Sequence, residues 1–225
     1  MKIFEKQLEH LVSLLALLAV VWWISRGESF RAGAYLGLST PAWLTLAIAI
    51  PVAHQIFVWL SWRLELYYGY LTRLFGERGF TYYAIVFVVL FIGRLLGIIG
   101  LAIANQGNLE IAQRLLYGLA VLAAIPAIWV MVSVARYFGV TRAFGIDHFE
   151  ASYREKPLVR KGSFKYIPNS MYTLGLLVLW IPGLIWASPA ALLAAGFNHT
   201  YIWAHYYFVE RPDMQYIYGA QAGQG

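Results

Sequence analysis

The 225-residue sequence contains no cysteine. That absence excludes a disulfide framework, a thiolate nucleophile and a Cys-ligated metal centre. Charge is scarce: Asp, Glu, Lys and Arg together supply 12% of the residues, about half the share of a soluble domain. No Gly-x-Gly-x-x-Gly stretch occurs, so a dinucleotide-binding fold is unsupported. No pair of interrupted apolar segments recurs at matched positions in two halves, which argues against a transporter repeat. No His-x-x-x-His or Glu-x-x-His spacing supports a metal site, and none is expected. Glu5 and Glu9 interrupt any basic lead, and no small-x-small site follows the first apolar run, so a cleavable signal peptide is not expected. The net charge of +6 lies mostly in connecting segments. No extended basic domain carries it, so nucleic acid is not expected as a partner.

What the chain has instead is apolar length. It is 60% hydrophobic and 17% aromatic, and most apolar runs approach or exceed the roughly 18 residues that cross about 30 Å of hydrocarbon. A β-barrel would show alternation in segments of about ten residues. The expectation is an all-α integral membrane protein: a bundle of about six transmembrane helices with a C-terminal helical hairpin and a cytoplasmic cofactor pocket. The predicted spans cover 8–24, 42–62, 81–104, 115–135, 171–185 and 190–208. Loops are expected over 25–40 and 63–80, and a long polar connector over 136–170. Pro182-Gly183 and Ser188-Pro189 place the hairpin turn near 186–189. Residues 220–225 are expected to be disordered. The chain divides into N-terminal transmembrane helices, 1–135, and a C-terminal region, 136–225. With six spans, thirteen Lys and Arg side chains fall on the side of the termini and three on the other. The positive-inside rule puts the thirteen, and both termini, in the cytoplasm. The inner (cytoplasmic) membrane is the expected location.

The polar groups gather towards the C-terminus. In LVRKGSFKYIPNSMY, Gly162 allows a tight turn, and Asn169 or Ser170 is placed to cap a helix that starts at the membrane. A helix start facing a pocket suits a carboxylate or phosphate. The bland alternative is an interfacial entry with snorkelling lysines. In HYYFVERPDMQYIYG, Glu210 follows Tyr206 by four residues and shares its helical face. A carboxylate there can hold an ammonium or sulfonium, with tyrosine rings supplying further cation contacts. It can equally pair with Arg211 and end the helix. Asn198, Tyr201 and His205 form an i, i+3, i+7 stripe, and ionisable groups in a membrane helix usually face the bundle interior. Structural hydrogen bonds are the simplest role for these, and packing for His54 and Arg94. His148 or His205 could accept a proton, and Asp147-His148 could act as an acid–base pair.

In this order and separation, the segments resemble the membrane-embedded methyltransferases that include isoprenylcysteine carboxyl methyltransferase and the phospholipid N-methyltransferases. The basic approach is Leu158–Tyr166, the motif Pro168-Asn169-Ser170-Met171-Tyr172, and the tail Glu210-Arg211-Pro212-Asp213-Met214 followed by Tyr218-Gly219. The resemblance covers roughly 136–219, making 136–225 a methyltransferase-like region of connector, hairpin and tail. Pro168, Asn169, Ser170 and Arg211 stand where many members have Arg, His, Pro and Glu. The resemblance implies S-adenosylmethionine as cofactor, contacted by Lys165, Asn169, Tyr172, Tyr206 and Glu210. It implies a membrane lipid as acceptor, a phospholipid headgroup amine ahead of a prenylcysteine-like carboxylate. An amine must lose a proton before it attacks, which is the task for His148 or His205. Two other readings stand beside an enzyme. One is a catalytically degenerate relative acting as a structural subunit, with a protein partner in a membrane complex. The other is a membrane reductase or haem protein ligated by His205 and His54.

Overall fold

A computed structural model describes residues 2–219; the disorder expected over 220–225 falls outside them. The described chain is helical apart from connecting loops and one two-stranded hairpin, β1 (Ala34–Tyr35) and β2 (Leu38–Ser39). The all-α expectation holds. Helix α1 is Gln7–Ile24, α2 Thr40–Tyr68, α3 Tyr70–Phe75, α4 Gly79–Ala104 and α5 Gln113–Ser133. Four segments are long and apolar enough to cross a membrane: Lys2–Ile24, Thr40–Tyr68, Tyr70–Ala104 and Gln113–Phe138. Their outward faces carry leucines, valines and isoleucines, among them Leu8, Val12, Val89, Val121 and Ile125, as contact with lipid requires. Helix α2 runs on through Pro51 and α5 through Pro126. The loop expected over 63–80 is largely helical, because α2 continues two turns past Trp62 and α3 follows after Gly69.

The two halves of the C-terminal hairpin are shorter than the four spans. The first is not one helix. It consists of α8 (Ser170–Thr173), a 3-10 stretch (Gly175–Leu179) and α9 (Trp180–Ile185). Gly175 and the Pro182-Gly183 pair explain the interruption. The second, α10 (Pro189–His205), starts where the Ser188-Pro189 pair predicts, with the Ser188 hydroxyl accepting from the Ala191 amide at 3.1 Å. Asn105 fixes that turn. Its amide donates to the carbonyls of Ser29 and Ala32, and its oxygen accepts from Ser188 and Ala190. Between the spans and the hairpin lie short helices α6 (Val140–Ala143) and α7 (Ala151–Arg154); α11 (Arg211–Tyr218) ends the described chain.

Small residues set how close the helices come. Gly93, Gly97 and Gly100 line the face of α4 that meets α2. A methyl group on Gly97 would stand 3.5 Å from the Ala47 backbone, and one on Gly100 only 2.4 Å from the Trp43 ring. Without a hydrophobic drive between helices in lipid, such close approach is the main source of packing energy. Helix α10 is buried against α1, α2 and α4 through Ala190, Ala191, Ala194 and Ala195. The lead and tail of the described chain meet. The Gln7 amide reaches the Phe208 carbonyl at 3.5 Å, and the Lys2 ammonium lies 4.4 Å from the Tyr216 ring centre.

Arg63 makes that junction rigid. It is fully buried, pairs with Asp213 at 3.1 Å, and donates to the carbonyls of Ile3, Glu5 and Phe208. Arg63, one of the thirteen Lys and Arg side chains counted on the side of the termini, is thus neutralised inside the fold.

Candidate functional site

Two π-turns frame the site. One, Val134–Phe138, extends α5; the other, Tyr206–Glu210, joins α10 to α11. A π-turn inserts one extra residue into a helix, and such insertions are frequent at functional positions. Here they aim Phe138, Tyr206 and Glu210 at a cavity of about 360 Å³. Tyr206 and Glu210 do share a face, but through a π-turn rather than the α-helical spacing expected of them.

The opposite wall is the basic approach, folded back onto α5. Gly162 has φ +62° there, and a β-carbon on it would lie 2.6 Å from the Ser133 hydroxyl. The turn expected at Gly162 is therefore required by both backbone and space. Ser163 then donates its amide to Ser133 at 3.0 Å, and its hydroxyl meets that of Ser170 at 2.8 Å. Ser170, the serine in place of a motif proline, thus locks the approach to the hairpin. Helix α8 has only one turn, and neither Asn169 nor Ser170 caps it with a side chain. The anion-binding helix start expected at this point is not formed.

All five residues expected to hold the cofactor come together. Lys165, Asn169, Tyr172, Tyr206 and Glu210 line the one cavity. The Tyr172 hydroxyl donates to the Glu210 carboxylate, and the Tyr172 ring lies 6.1 Å from those of Trp203 and Tyr206. Burial pushes the Glu210 carboxyl up to about 7; the Tyr172 hydrogen bond pulls it down, and the charges of Asp213 and Asp147 push it further up. Arg160, Lys165 and Arg211 stand around the same cavity. The site therefore presents the Glu210 carboxylate among aromatic rings, faced by cations, with a second carboxylate, Asp147, on the same wall. At about 360 Å³ it falls within the usual range for small-molecule sites.

The rest of the wall includes Asp147, expected to pair with His148, and Tyr218. Asp147 accepts from Arg142 at 3.3 Å and from the Tyr218 hydroxyl at 2.6 Å, and Arg142 also donates to that hydroxyl at 2.9 Å. Burial first, then the bond to Asp147, push the Tyr218 hydroxyl up to about 12, so it stays a donor. Asp147 does not pair with its neighbour His148, which turns the other way. His148 stacks on Trp62 at 4.1 Å, with Nδ1 3.1 Å from the Gly145 carbonyl and Nε2 3.7 Å from Asp213. The only sequence signal for the Asp147–Tyr218 contact was the tyrosine just before Gly219.

Neither His148 nor His205 lines the cavity. His205 is buried, and both its ring nitrogens lack a hydrogen-bond partner among the described residues. Its stripe partner Asn198 does have the structural bonds expected, accepting from Arg94 at 3.1 Å and donating to the Ala194 carbonyl at 2.8 Å. His199 accepts from the Trp180 indole at 3.1 Å.

Comparison with known proteins bears out the resemblance read from the sequence. Residues 114–221 match the family described as phospholipid methyltransferase. The phosphatidylethanolamine N-methyltransferase of Arthroderma otae is 34% identical over 111 residues, that of Uncinocarpus reesii 36% over 111, and that of Aspergillus clavatus 37% over 93. These alignments cover 46%, 46% and 41% of this chain but only 11%, 11% and 9% of the relatives. The chain therefore spans about a tenth of the length of the curated relatives it matches. No solved structure matches it.

Proposed function

From a chain whose residues 114–221 match the phospholipid methyltransferases and contain every wall of the cavity, we propose that the protein transfers a methyl group to the headgroup amine of a membrane phospholipid. The observation that carries this is the Tyr172–Glu210 pair in an aromatic cavity within the matched region. The residues fit S-adenosylmethionine. Glu210 would take its ammonium end, Tyr172 and Tyr206 would offer ring faces to its cationic part, and Lys165 would meet its carboxylate beside Asn169. When bound, that cofactor supplies a methyl group on a positively charged sulfur.

The protein's part is to align and dehydrate the reacting groups. Each transfer to an ammonium headgroup releases one proton. Of the two histidines expected to accept it, His205 has no ring-nitrogen partner among the described residues; His148 Nδ1 lies 3.1 Å from the Gly145 carbonyl, and its Nε2, 3.7 Å from Asp213, also lacks a hydrogen-bond partner. Neither lines the cavity, so we assign the released proton to neither, and positioning of the Asp213 end of the tail to His148. A hairpin adds an even number of crossings whether or not it spans fully, so with four spans both termini share one side. The charge bias makes that side the cytoplasm. The inner (cytoplasmic) membrane remains our placement, and residues 136–225 the methyltransferase-like unit.

Transfer of isotopically labelled methyl from S-adenosylmethionine to phosphatidylethanolamine vesicles tests the reading. Labelled lipid that disappears with Glu210→Ala supports it. A folded protein that binds the cofactor but labels only a prenylcysteine acceptor would move the substrate. One that binds no cofactor would be the structural-subunit relative.

A further inference from the structure

Among the described residues, nine buried side-chain polar atoms have no hydrogen-bond partner, and seven of them belong to five residues in one region. They are His10 Nε2, both ring nitrogens of His54, Arg94 Nη2, the Tyr201 hydroxyl and both ring nitrogens of His205. The five come from α1, α2, α4 and α10, and all are buried. His10 stacks on Tyr201 with ring centres 5.5 Å apart and meets His205 edge-on at 5.9 Å. Arg94 joins them through Asn198, to which it donates at 3.1 Å and which stands one turn before Tyr201 on α10; the His54 ring lies 4.6 Å from that of Phe87, two turns before Arg94 on α4. Native interiors leave few buried polar groups unpaired, and such a cluster calls for a specific cause.

We propose that this cluster binds the phosphate of a phospholipid, with Arg94 as its counter-ion. The argument starts from charge. Arg94 is an obligate cation in the middle of a membrane span, and its side-chain bond is to the neutral oxygen of Asn198. The acidic partners of the buried arginines Arg63 and Arg142 are Asp213 and Asp147; none serves Arg94. A buried cation without a counter-charge is strongly unfavourable. The other four residues offer hydroxyl and imidazole N–H groups and no carboxylate, a set suited to an oxyanion. Among the described residues, no three His, Asp or Glu side chains gather as a metal would need. A proton relay through the histidines would leave the Arg94 charge unbalanced.

Shape supplies a second, independent reason. A cavity of about 240 Å³ lies between Leu17, Val20 and Val21 of α1 and Leu192, Gly196 and Phe197 of α10. It continues the seam that holds the polar cluster, because Phe197 stacks on Tyr201 at 5.5 Å and Leu17 is two turns along α1 from His10. One seam thus offers a cationic, donor-rich end and an apolar end, in the order of phosphate and acyl chain in one lipid. The apolar cavity is accordingly assigned to an acyl chain of the bound phospholipid. In an ethanolamine headgroup two carbons separate the phosphate ester oxygen from the amine. Tyr172 lines the cavity and meets α10 at Trp203, two residues from both Tyr201 and His205; the proposal places the amine of the bound lipid on that side, towards Glu210. This deepens the methyltransferase reading and rests on it for the role of the bound lipid, though not for binding itself.

The test uses the full-length protein in detergent without cofactor, titrated calorimetrically with three probes. These are dihexanoyl phosphatidylethanolamine, its analogue with an ether in place of the phosphodiester, and inorganic phosphate. The expected result is a preference of at least tenfold for the phosphate-bearing lipid over the ether analogue, erased by Arg94→Gln. Thr200→Trp, an exposed change at the rim of the apolar cavity, should weaken both lipids alike. Equal affinity for the two lipids in the folded wild type, or an intact preference in Arg94→Gln, would overturn the proposal. So would inorganic phosphate binding as tightly as the lipid, which would make this a free-anion site. If Arg94→Gln does not fold, the wild-type comparison of the two lipids decides alone. Should the protein prove not to be a methyltransferase, S-adenosylhomocysteine binding would be absent while the phosphate preference stayed.

Discussion

The Glu210 carboxyl is pushed up to about 7 by burial, against the pull of the Tyr172 hydroxyl. An ammonium ligand needs the ionised form. Its affinity should therefore be flat above pH 7 and fall up to about tenfold per pH unit below it. Removing the Tyr172 hydroxyl removes a group that favours the carboxylate, so Tyr172→Phe should move the midpoint to higher pH. Glu210→Gln should abolish the pH dependence and weaken binding at least tenfold. S-adenosylhomocysteine titrations across pH 5.5–8.5 check all three. At Arg63 the expectation concerns stability. Asp213→Asn leaves a buried guanidinium without its partner, for which about 3–5 kcal/mol is typical. Thermal unfolding in detergent should show that loss, and Arg63→Met in the same background should recover only part of it, because three carbonyl bonds also go.

At the scale of elements, the two π-turns and the Gly162 turn decide where the cavity walls stand. Tyr207 is exposed within the second π-turn. Deleting it should restore a regular helix and rotate α11 by about 100°, one residue's turn of an α-helix. Asp213 would leave Arg63, and Glu210 would leave Tyr172. The deletion should abolish S-adenosylhomocysteine binding and lower the melting temperature, whereas Tyr207→Ala should do neither. Gly162→Ala places a β-carbon against Ser133 at a positive φ. A cost of about 1–3 kcal/mol is expected from the backbone alone, with weaker cofactor binding as the approach shifts. The four long spans were legible because apolar runs are long and unbroken. The first half of the hairpin was not, because Gly175, Pro182 and Gly183 permit a broken helix whose path only the neighbouring α5 and α10 determine.

Across the whole molecule, the site was legible where chemistry lay close in sequence and illegible where it lay far apart. Lys165, Asn169 and Tyr172 share one stretch, and Tyr206 and Glu210 another; apart from the family resemblance, both stretches mark themselves by polar groups beside apolar helices. Arg63 and Asp213 are 150 positions apart, and nothing near Arg63 distinguishes it from an ordinary charge at a helix end. The same holds for Arg94 and Asn198, and for Asp147 and Tyr218. Each half of such a pair has a bland local reading, and only the fold brings the halves together. Helices α1, α2 and α4 lie outside the matched residues 114–221, yet they supply three of the five residues in the buried polar cluster. If they complete a lipid site, the N-terminal half has a role beyond anchoring.

Titration calorimetry of the detergent-purified protein with S-adenosylhomocysteine, alongside Glu210→Ala, tests the central claim most directly. Saturable binding at one site per chain, lost in Glu210→Ala with the fold retained, is the predicted result. A folded wild-type protein that takes up no S-adenosylhomocysteine, or a Glu210→Ala variant that binds it unchanged, would contradict the account.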